Sequence, residues 1–137
     1  MPRIVAIDYG TKRTGLAVTD PMKIIATPLE TVHSSKLIEF LKTYDLSEGI
    51  ESFVVGMPKT LKNIESENAR HVHIMIKHLK KAFPEKEVFL VDERFTSSIA
   101  LDAMLAGGMS KKNRRDKSNV DKISATIILQ SFLEMKK

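Results

Sequence analysis

The sequence contains no cysteine and no tryptophan, and no apolar run approaches the length of a membrane span. Without cysteine, disulfides and thiolate metal sites are excluded. A membrane-spanning helix requires about 20 consecutive apolar residues. The N-terminus, Met1-Pro2-Arg3, leads directly into a strand-like run and lacks the pattern of a signal peptide. We therefore expect a soluble, cytoplasmic protein.

The length of 137 residues is sufficient for one domain with a buried core, and no repeat, linker or low-complexity segment divides residues 1–137. The net charge of +5 is concentrated near the C-terminus. Residues 1–106 carry 14 Lys and Arg and 14 Asp and Glu, whereas the last 31 residues carry 8 and 3. A polyanion such as nucleic acid is the partner expected at that end.

A basic segment just after Gly107-Gly108 holds most of this excess charge. Its basic residues are Lys111, Lys112, Arg114, Arg115 and Lys117. The segment has no apolar anchor, so we interpret it as a loop that becomes ordered on a nucleic-acid backbone. The same pattern is as typical of a solvated loop with no partner.

The rest of the chain is organised around residues 3–19, RIVAIDYGTKRTGLAVT. Two short apolar runs flank a polar, glycine-containing turn, which predicts a β-hairpin. Asp8 falls at the end of the first run, so its carboxylate projects beside the turn and needs a cation or a hydrogen-bond donor. The alternative is that Asp8 only accepts hydrogen bonds from turn amides.

The pattern after the hairpin predicts a third strand, two further strands that are buried, and helices between and after them. Pro28 places the third strand at an edge or a strand end, and Ser34 or Ser35 is the expected cap of the first helix. The expected elements are a strand at 23–32, a helix after residue 35, a strand at 53–56, a helix ending at Pro84, a strand at 88–91, a short helix from Ser97 or Ser98 to Leu105, and a last helix at 119–134. This order predicts an α/β domain with a mixed sheet covered on its faces.

Three carboxylates are expected to converge at one edge of the sheet. Asp8 and Glu93 lie at strand carboxyl ends, where ligands gather in such sheets. Asp121 shares an apolar helical stripe with Ala125 and Ile128. An interaction of Asp121 with the helix dipole, worth about 0.3–1 kcal/mol, is the alternative. Three clustered carboxylates favour Mg²⁺ or Mn²⁺.

Four stretches of the chain together resemble the blocks of the YqgF family, which are Holliday-junction-resolvase-like nucleases of bacteria with an RNase H-like fold. The stretches are IDYGTKRTGLAV, VVGMP, VDERFTS and VDKISATIILQSFLE. The resemblance implies a five-stranded sheet whose first three strands are antiparallel, with Asp8, Glu93 and Asp121 as the catalytic, metal-binding triad. The chain departs from the family pattern at residues 59–63, where Asn63 stands in place of a glycine.

The resemblance also implies two-metal hydrolysis of phosphodiester bonds. Lys12, Arg13 and Arg94 then flank the acids and are expected to hold phosphates, although solvent-exposed turn charge is an alternative for them. Glu65 is a weaker candidate for reaching the metals, and the four histidines form no convincing ligand set.

The substrate is open between the 5′ end of precursor 16S ribosomal RNA and four-way DNA junctions. Because no self-complementary patch is evident, we expect a monomer, with at most weak dimerisation, and favour structured RNA over branched DNA. Tyr9 is the one exposed aromatic platform expected near the site.

Two other classes of protein are weighed against the nuclease. The turn around Gly10 also resembles the first phosphate loop of the actin and sugar-kinase superfamily, which requires two such domains. A nucleic-acid-binding protein without catalysis, serving RNA metabolism or transcription, is the other alternative.

Overall fold

The computed structural model describes residues 2–57, 67–92 and 117–135, with side chains described at 2–57, 69–92 and 122–135. The described chain contains five strands: β1 Arg3–Tyr9, β2 Arg13–Thr19, β3 Ala26–His33, β4 Ile50–Met57 and β5 Glu87–Asp92. Its α-helices are α1 Leu37–Ser47, α2 Glu67–Ala82 and α3 Lys117–Met135.

The strands form one mixed sheet in the order β3-β2-β1-β4-β5. Strand β1 pairs antiparallel with β2, which pairs antiparallel with β3. On its other side β1 pairs parallel with β4, and β4 pairs parallel with β5. The predicted antiparallel arrangement of the first three strands is therefore confirmed, and the carboxyl ends of β1, β4 and β5 share one edge of the sheet.

Each face of the sheet is covered by helices, as the sequence predicts. Val5 and Ile7 of β1 contribute to a core with Leu41 of α1 and Leu79 of α2. Ile4 and Ala6 point to the opposite face, where they join a core that includes Ala125, Ile128, Leu129 and Phe132 of α3. Side chains alternate between faces along a strand, so we call these the α1/α2 face and the α3 face.

The third strand begins later than its β-branched residues suggest. The carboxylate of Asp20 accepts hydrogen bonds from the backbone N–H groups of Ile24 at 2.8 Å and Ile25 at 2.7 Å. These bonds, that of Ile25 foremost, lower the pKa of Asp20. Lys23 adopts a φ of 60° in the same turn. Residues 23–25, predicted as strand, are therefore held in the β2–β3 turn.

Neither serine caps α1, which corrects the prediction of a serine N-cap. Residues Ser34–Lys36 form a short 3-10 turn, in which the ring of His33 accepts from the N–H of Ser35. The N-cap of α1 is Lys36, which makes no side-chain capping bond. The hydroxyl of Ser34 bonds instead to the β1–β2 turn, as described below.

The prediction that β5 is a buried strand is wrong for most of its length. Leu90 is 51% exposed, and Val91 is the buried hydrophobic residue of this strand. The reason is its position at the edge of the described sheet. Phe89 is half-buried against Phe132 of α3, with ring centroids 5.0 Å apart.

The long second helix follows its predicted stripe. Ala69, Val72, Ile76 and Leu79 are all buried, and the helix ends at Ala82, just before Pro84. The short helix expected before Leu105 lies outside the described residues.

Candidate functional site

Asp8 continues the alternating pattern of β1 near the end of the strand and lies on the α3 face. Ile4 and Ala6 contribute to the α3-side core, and Asp8 is the next residue with the same orientation. Its side chain is half-buried. The carboxylate therefore stands near the carboxyl end of the central strand, beside the place where the apolar core under α3 ends.

Glycines flank Asp8 on both neighbouring strands. Asp8 pairs directly with Gly15 of β2. On the other side Ile7 pairs with Val55 of β4, so that Gly56 follows Val55 beside Asp8. By alternation both glycines lie on the α3 face, because Ala17 and Val54 contribute to the core there. The two positions directly beside Asp8 on the neighbouring strands therefore carry no side chain.

The second acid, Glu93, directly follows β5 and lies outside the described residues. Strand β4 separates β1 from β5. Since adjacent strands are about 4.8 Å apart, the ends of β1 and β5 are about 10 Å apart. Gly56 occupies the strand between them, where it pairs with Val91. The strands thus bring residue 8 and the end of β5 to one edge across a position without a side chain.

The third acid, Asp121, lies in α3 at a residue whose side chain is outside the described set. The helix begins at Lys117, earlier than expected, and its first turn contains no acid. The helix dipole acts mainly within the first turn, so a helix that begins at Lys117 places Asp121 just beyond the range of the dipole alternative. The rest of its stripe is buried: Ala125 is 0%, Ile128 1% and Phe132 5% exposed.

The basic residues of the β1–β2 turn lie close to Asp8 in the chain. Lys12 is in the turn and Arg13 opens β2, and both are exposed. Ser34 holds this turn through two hydrogen bonds: its N–H donates to the carbonyl of Lys12 at 2.9 Å, and its hydroxyl donates to the carbonyl of Gly10 at 2.5 Å. This role of Ser34 has no local signal in the sequence, because the contact joins residues 24 positions apart.

Other predicted residues are placed differently or lie outside the description. Tyr9 is half-buried and packs against the core on the α1/α2 face, so the expectation of an exposed aromatic platform beside Asp8 is wrong. His71 and His78 are exposed on α2. Lys117 is the first residue of α3 and therefore belongs to a helix, not to the predicted loop. Those outside the description are Glu65, Arg94, Lys111, Lys112, Arg114 and Arg115.

Among residues 2–57, 69–92 and 122–135, no three His, Asp or Glu side chains are grouped closely enough to hold a metal ion. The predicted cluster needs Glu93 and Asp121, whose side chains are outside these ranges. In the same part of the chain no helix has the length and apolar character needed to cross a membrane.

Comparison with known proteins gives concordant results over the whole chain. The family model described as "RuvX: Holliday junction resolvase" matches residues 2–135. A protein of Phocaeicola vulgatus is 53% identical over 137 residues, covering 100% of this chain and 99% of that protein. One of Bacteroides fragilis is 50% identical, with the same coverage. Both carry the name "Putative pre-16S rRNA nuclease".

The fold also has a counterpart among solved structures. Thermus thermophilus RuvC, solved in complex with a Holliday junction substrate, superimposes with a TM-score of 0.60 over 100% of this chain and 98% of that chain. The sequence identity is 16%, so this likeness concerns the fold. It confirms the predicted RNase H-like arrangement of a mixed five-stranded sheet between helices.

Proposed function

Because this chain belongs to the RuvX family of Holliday junction resolvases, the YqgF family of the sequence analysis, we propose that it is a metal-dependent endonuclease whose substrate is precursor 16S ribosomal RNA. In this proposal residues 1–137 act as one nuclease domain. Family membership supports the reaction class, which is hydrolysis of phosphodiester bonds. The names of its relatives support the substrate.

The observation that carries the proposal is the placement of Asp8. A half-buried carboxylate on the α3 face, with Gly15 and Gly56 at the two directly adjacent positions, supplies oxygen ligands. Oxygen donors of this kind suit Mg²⁺ or Mn²⁺. The donor chemistry of Asp8, Glu93 and Asp121 therefore fits divalent cations.

The strand pattern favours Glu93 over its neighbour Asp92 as the second acid. Phe89 and Val91 contribute to the core on the α3 face. Alternation along the strand predicts residue 93 on the same face as Asp8, and Asp92 on the other. The helical stripe of Ala125 and Ile128 likewise predicts Asp121 on the side of α3 that faces the sheet.

In this mechanism each group of residues has a separate task. Asp8, Glu93 and Asp121 hold the metal ions, and when bound the ions supply an activated water and stabilisation of the leaving oxygen. Lys12, Arg13 and Arg94 bind phosphates beside the scissile bond, since guanidinium groups match phosphate geometry. The basic residues at 111–117 bind the backbone further along the strand.

The outward surface of α2 bears on the choice between a monomer, which makes single cuts, and a dimer, which makes paired cuts. Its outward positions Arg70, Lys77, Lys80 and Lys81 are exposed and charged. A junction resolvase must place two sites symmetrically, which requires a self-complementary interface. These four charged positions are unsuited to such an interface, which is consistent with a monomer.

A second candidate is resolution of branched DNA, because the family description itself names Holliday junctions. The two substrates are distinguished by digesting precursor 16S rRNA and a synthetic four-way junction side by side with Mg²⁺ or Mn²⁺, together with light scattering. We expect one cut near the 5′ end of the RNA by a monomer. A stable dimer that nicks the junction symmetrically and spares the RNA would support the second candidate and reject the first.

A further inference from the structure

We propose that Ser34 is a positioning residue of the nuclease, which holds the β1–β2 turn in the shape that presents Lys12 and Arg13 to a phosphate. This inference rests on the proposed function. It assigns a role to a residue that neither coordinates metal nor touches the reacting atoms.

The turn that Ser34 holds is short and tightly folded. Strand β1 ends at Tyr9 and β2 begins at Arg13, and Tyr9 pairs with Thr14. A Cβ atom at Gly10 would lie 2.6 Å from the carbonyl oxygen of Arg13, so no larger residue fits there without a shift of the backbone. Carbonyl groups that such a turn leaves unpaired within the hairpin accept hydrogen bonds from water or from other parts of the chain.

Ser34 supplies two such hydrogen bonds from a separate element. It is the first residue of the 3-10 turn that leads into α1. Its backbone N–H donates to the carbonyl of Lys12 at 2.9 Å, and its hydroxyl donates to the carbonyl of Gly10 at 2.5 Å. Both ends of the turn are therefore fixed to the 3-10 turn that precedes α1.

A third contact fixes the hydroxyl of Ser34 itself. The hydroxyl oxygens of Thr14 and Ser34 are 2.8 Å apart. A serine hydroxyl has one hydrogen, and that of Ser34 is directed to Gly10. Thr14, which is fully buried, must therefore donate to Ser34. The chain of hydrogen bonds runs in one direction, from Thr14 to Ser34 to Gly10.

The β1–β2 turn affects phosphate binding because it places Lys12 and Arg13. The side chain of Lys12 is exposed, and the backbone of the turn determines where the side chains of Lys12 and Arg13 start. Gly10 lies two residues after Asp8, so the same turn sets the position of both basic residues relative to the carboxylate. Fixing them before binding reduces the conformational entropy that binding must otherwise remove.

The test compares Ser34→Ala with Ser35→Ala as the matched control. Ser34→Ala removes two side-chain hydrogen bonds at the turn, whereas the hydroxyl of Ser35 contacts the ring of His33 at 2.8 Å. Binding of a fluorescent fragment of precursor 16S rRNA is measured by anisotropy over a salt series. We expect Ser34→Ala to raise Kd about tenfold and to lower the salt slope, Ser34→Thr to restore binding, and Ser35→Ala to match wild type.

A double-mutant cycle separates positioning from a general effect on the fold. In a Lys12→Ala/Arg13→Ala background, Ser34→Ala should change Kd less than about twofold, because the groups it positions are gone. An equal increase of Kd in both backgrounds would overturn the proposal. If Ser34→Ala does not fold, Thr14→Val, which removes the donor to Ser34, replaces it in the same cycle.

The outcomes also separate this proposal from the function on which it rests. If the wild-type chain binds and cuts RNA but Ser34→Ala and Ser35→Ala have the same Kd, only the role of Ser34 is overturned. A wild-type chain that neither binds nor cuts any nucleic acid overturns the proposed function together with the role of Ser34.

Discussion

Asp8 of β1 pairs with Gly15 of β2 across the antiparallel ladder, and both lie on the face of the sheet that α3 covers. A cross-strand partner normally places its Cβ about 4.5–5.5 Å from its neighbour. Here the partner has no side chain, and Gly56 repeats the arrangement on β4. The two positions directly beside the carboxylate on the neighbouring strands are therefore both glycine.

We expect Gly15→Ala and Gly56→Ala each to lower cleavage at least about tenfold by placing a methyl group beside Asp8, where it competes with the metal and the phosphate. Among the described glycines only Gly49 has a positive φ, so the backbone dihedral at Gly15 and Gly56 permits alanine. Cleavage rates test this expectation, Mn²⁺ titration calorimetry reports metal binding by each variant, and Tm reports whether the fold is retained. Full activity in both variants would show that the space beside Asp8 is not used.

We expect Asp8→Asn, Glu93→Gln and Asp121→Asn each to abolish cleavage while leaving Tm unchanged or higher, because each removes repulsion among clustered acids. Glu30→Gln, on β3 away from the acids, is the matched control. Initial rates with saturating RNA and thermal melts provide the measurements. Wild-type cleavage by Asp121→Asn would reject the three-acid site, and marked unfolding would contradict the repulsion argument.

Neutralising Lys111, Lys112, Arg114 and Arg115 should weaken RNA binding across sequences. The slope of log K against log salt should fall by up to about 0.7–0.9 for each phosphate that the protein no longer neutralises. The control is neutralisation of Lys77, Lys80 and Lys81, which are exposed on α2. An equal effect of the two sets of substitutions, or an unchanged slope, would show that Lys111, Lys112, Arg114 and Arg115 are solvated charges that do not contact RNA.

The sheet and its helices could be predicted from the sequence because the determining signals are periodic and local. The apolar runs at 4–7 and 53–55 and the stripe of α2 are all buried as expected. Alternation from Asp8 also determines the face of Tyr9, because adjacent residues in a strand point to opposite faces. The place of Tyr9 away from the site was therefore predictable from the same pattern.

Features that depend on register or on distant contacts could not be predicted in this way. Gly15 and Gly56 become neighbours of Asp8 only through the pairing of β1 with β2 and β4. Ser34 has the local pattern of a helix cap, but its hydroxyl bonds to Gly10, 24 residues earlier. Likewise, the exposure of β5 follows from its place at the end of the sheet order, which its own sequence does not encode.

Strand β1 pairs with β2, which is close to it in sequence, and with β4, which is distant in sequence, and this affects how the protein folds. Its pairing with β2 closes a loop of a few residues, whereas its pairing with β4 joins Ile7 to Val55. Contacts between distant residues form slowly because the intervening chain must first be ordered. We therefore expect the first hairpin to be formed in the folding transition state, with high φ-values for Val18→Ala and low ones for Val54→Ala. The two sides of the Asp8 carboxylate would then be completed at different times, the Gly15 side before the Gly56 side.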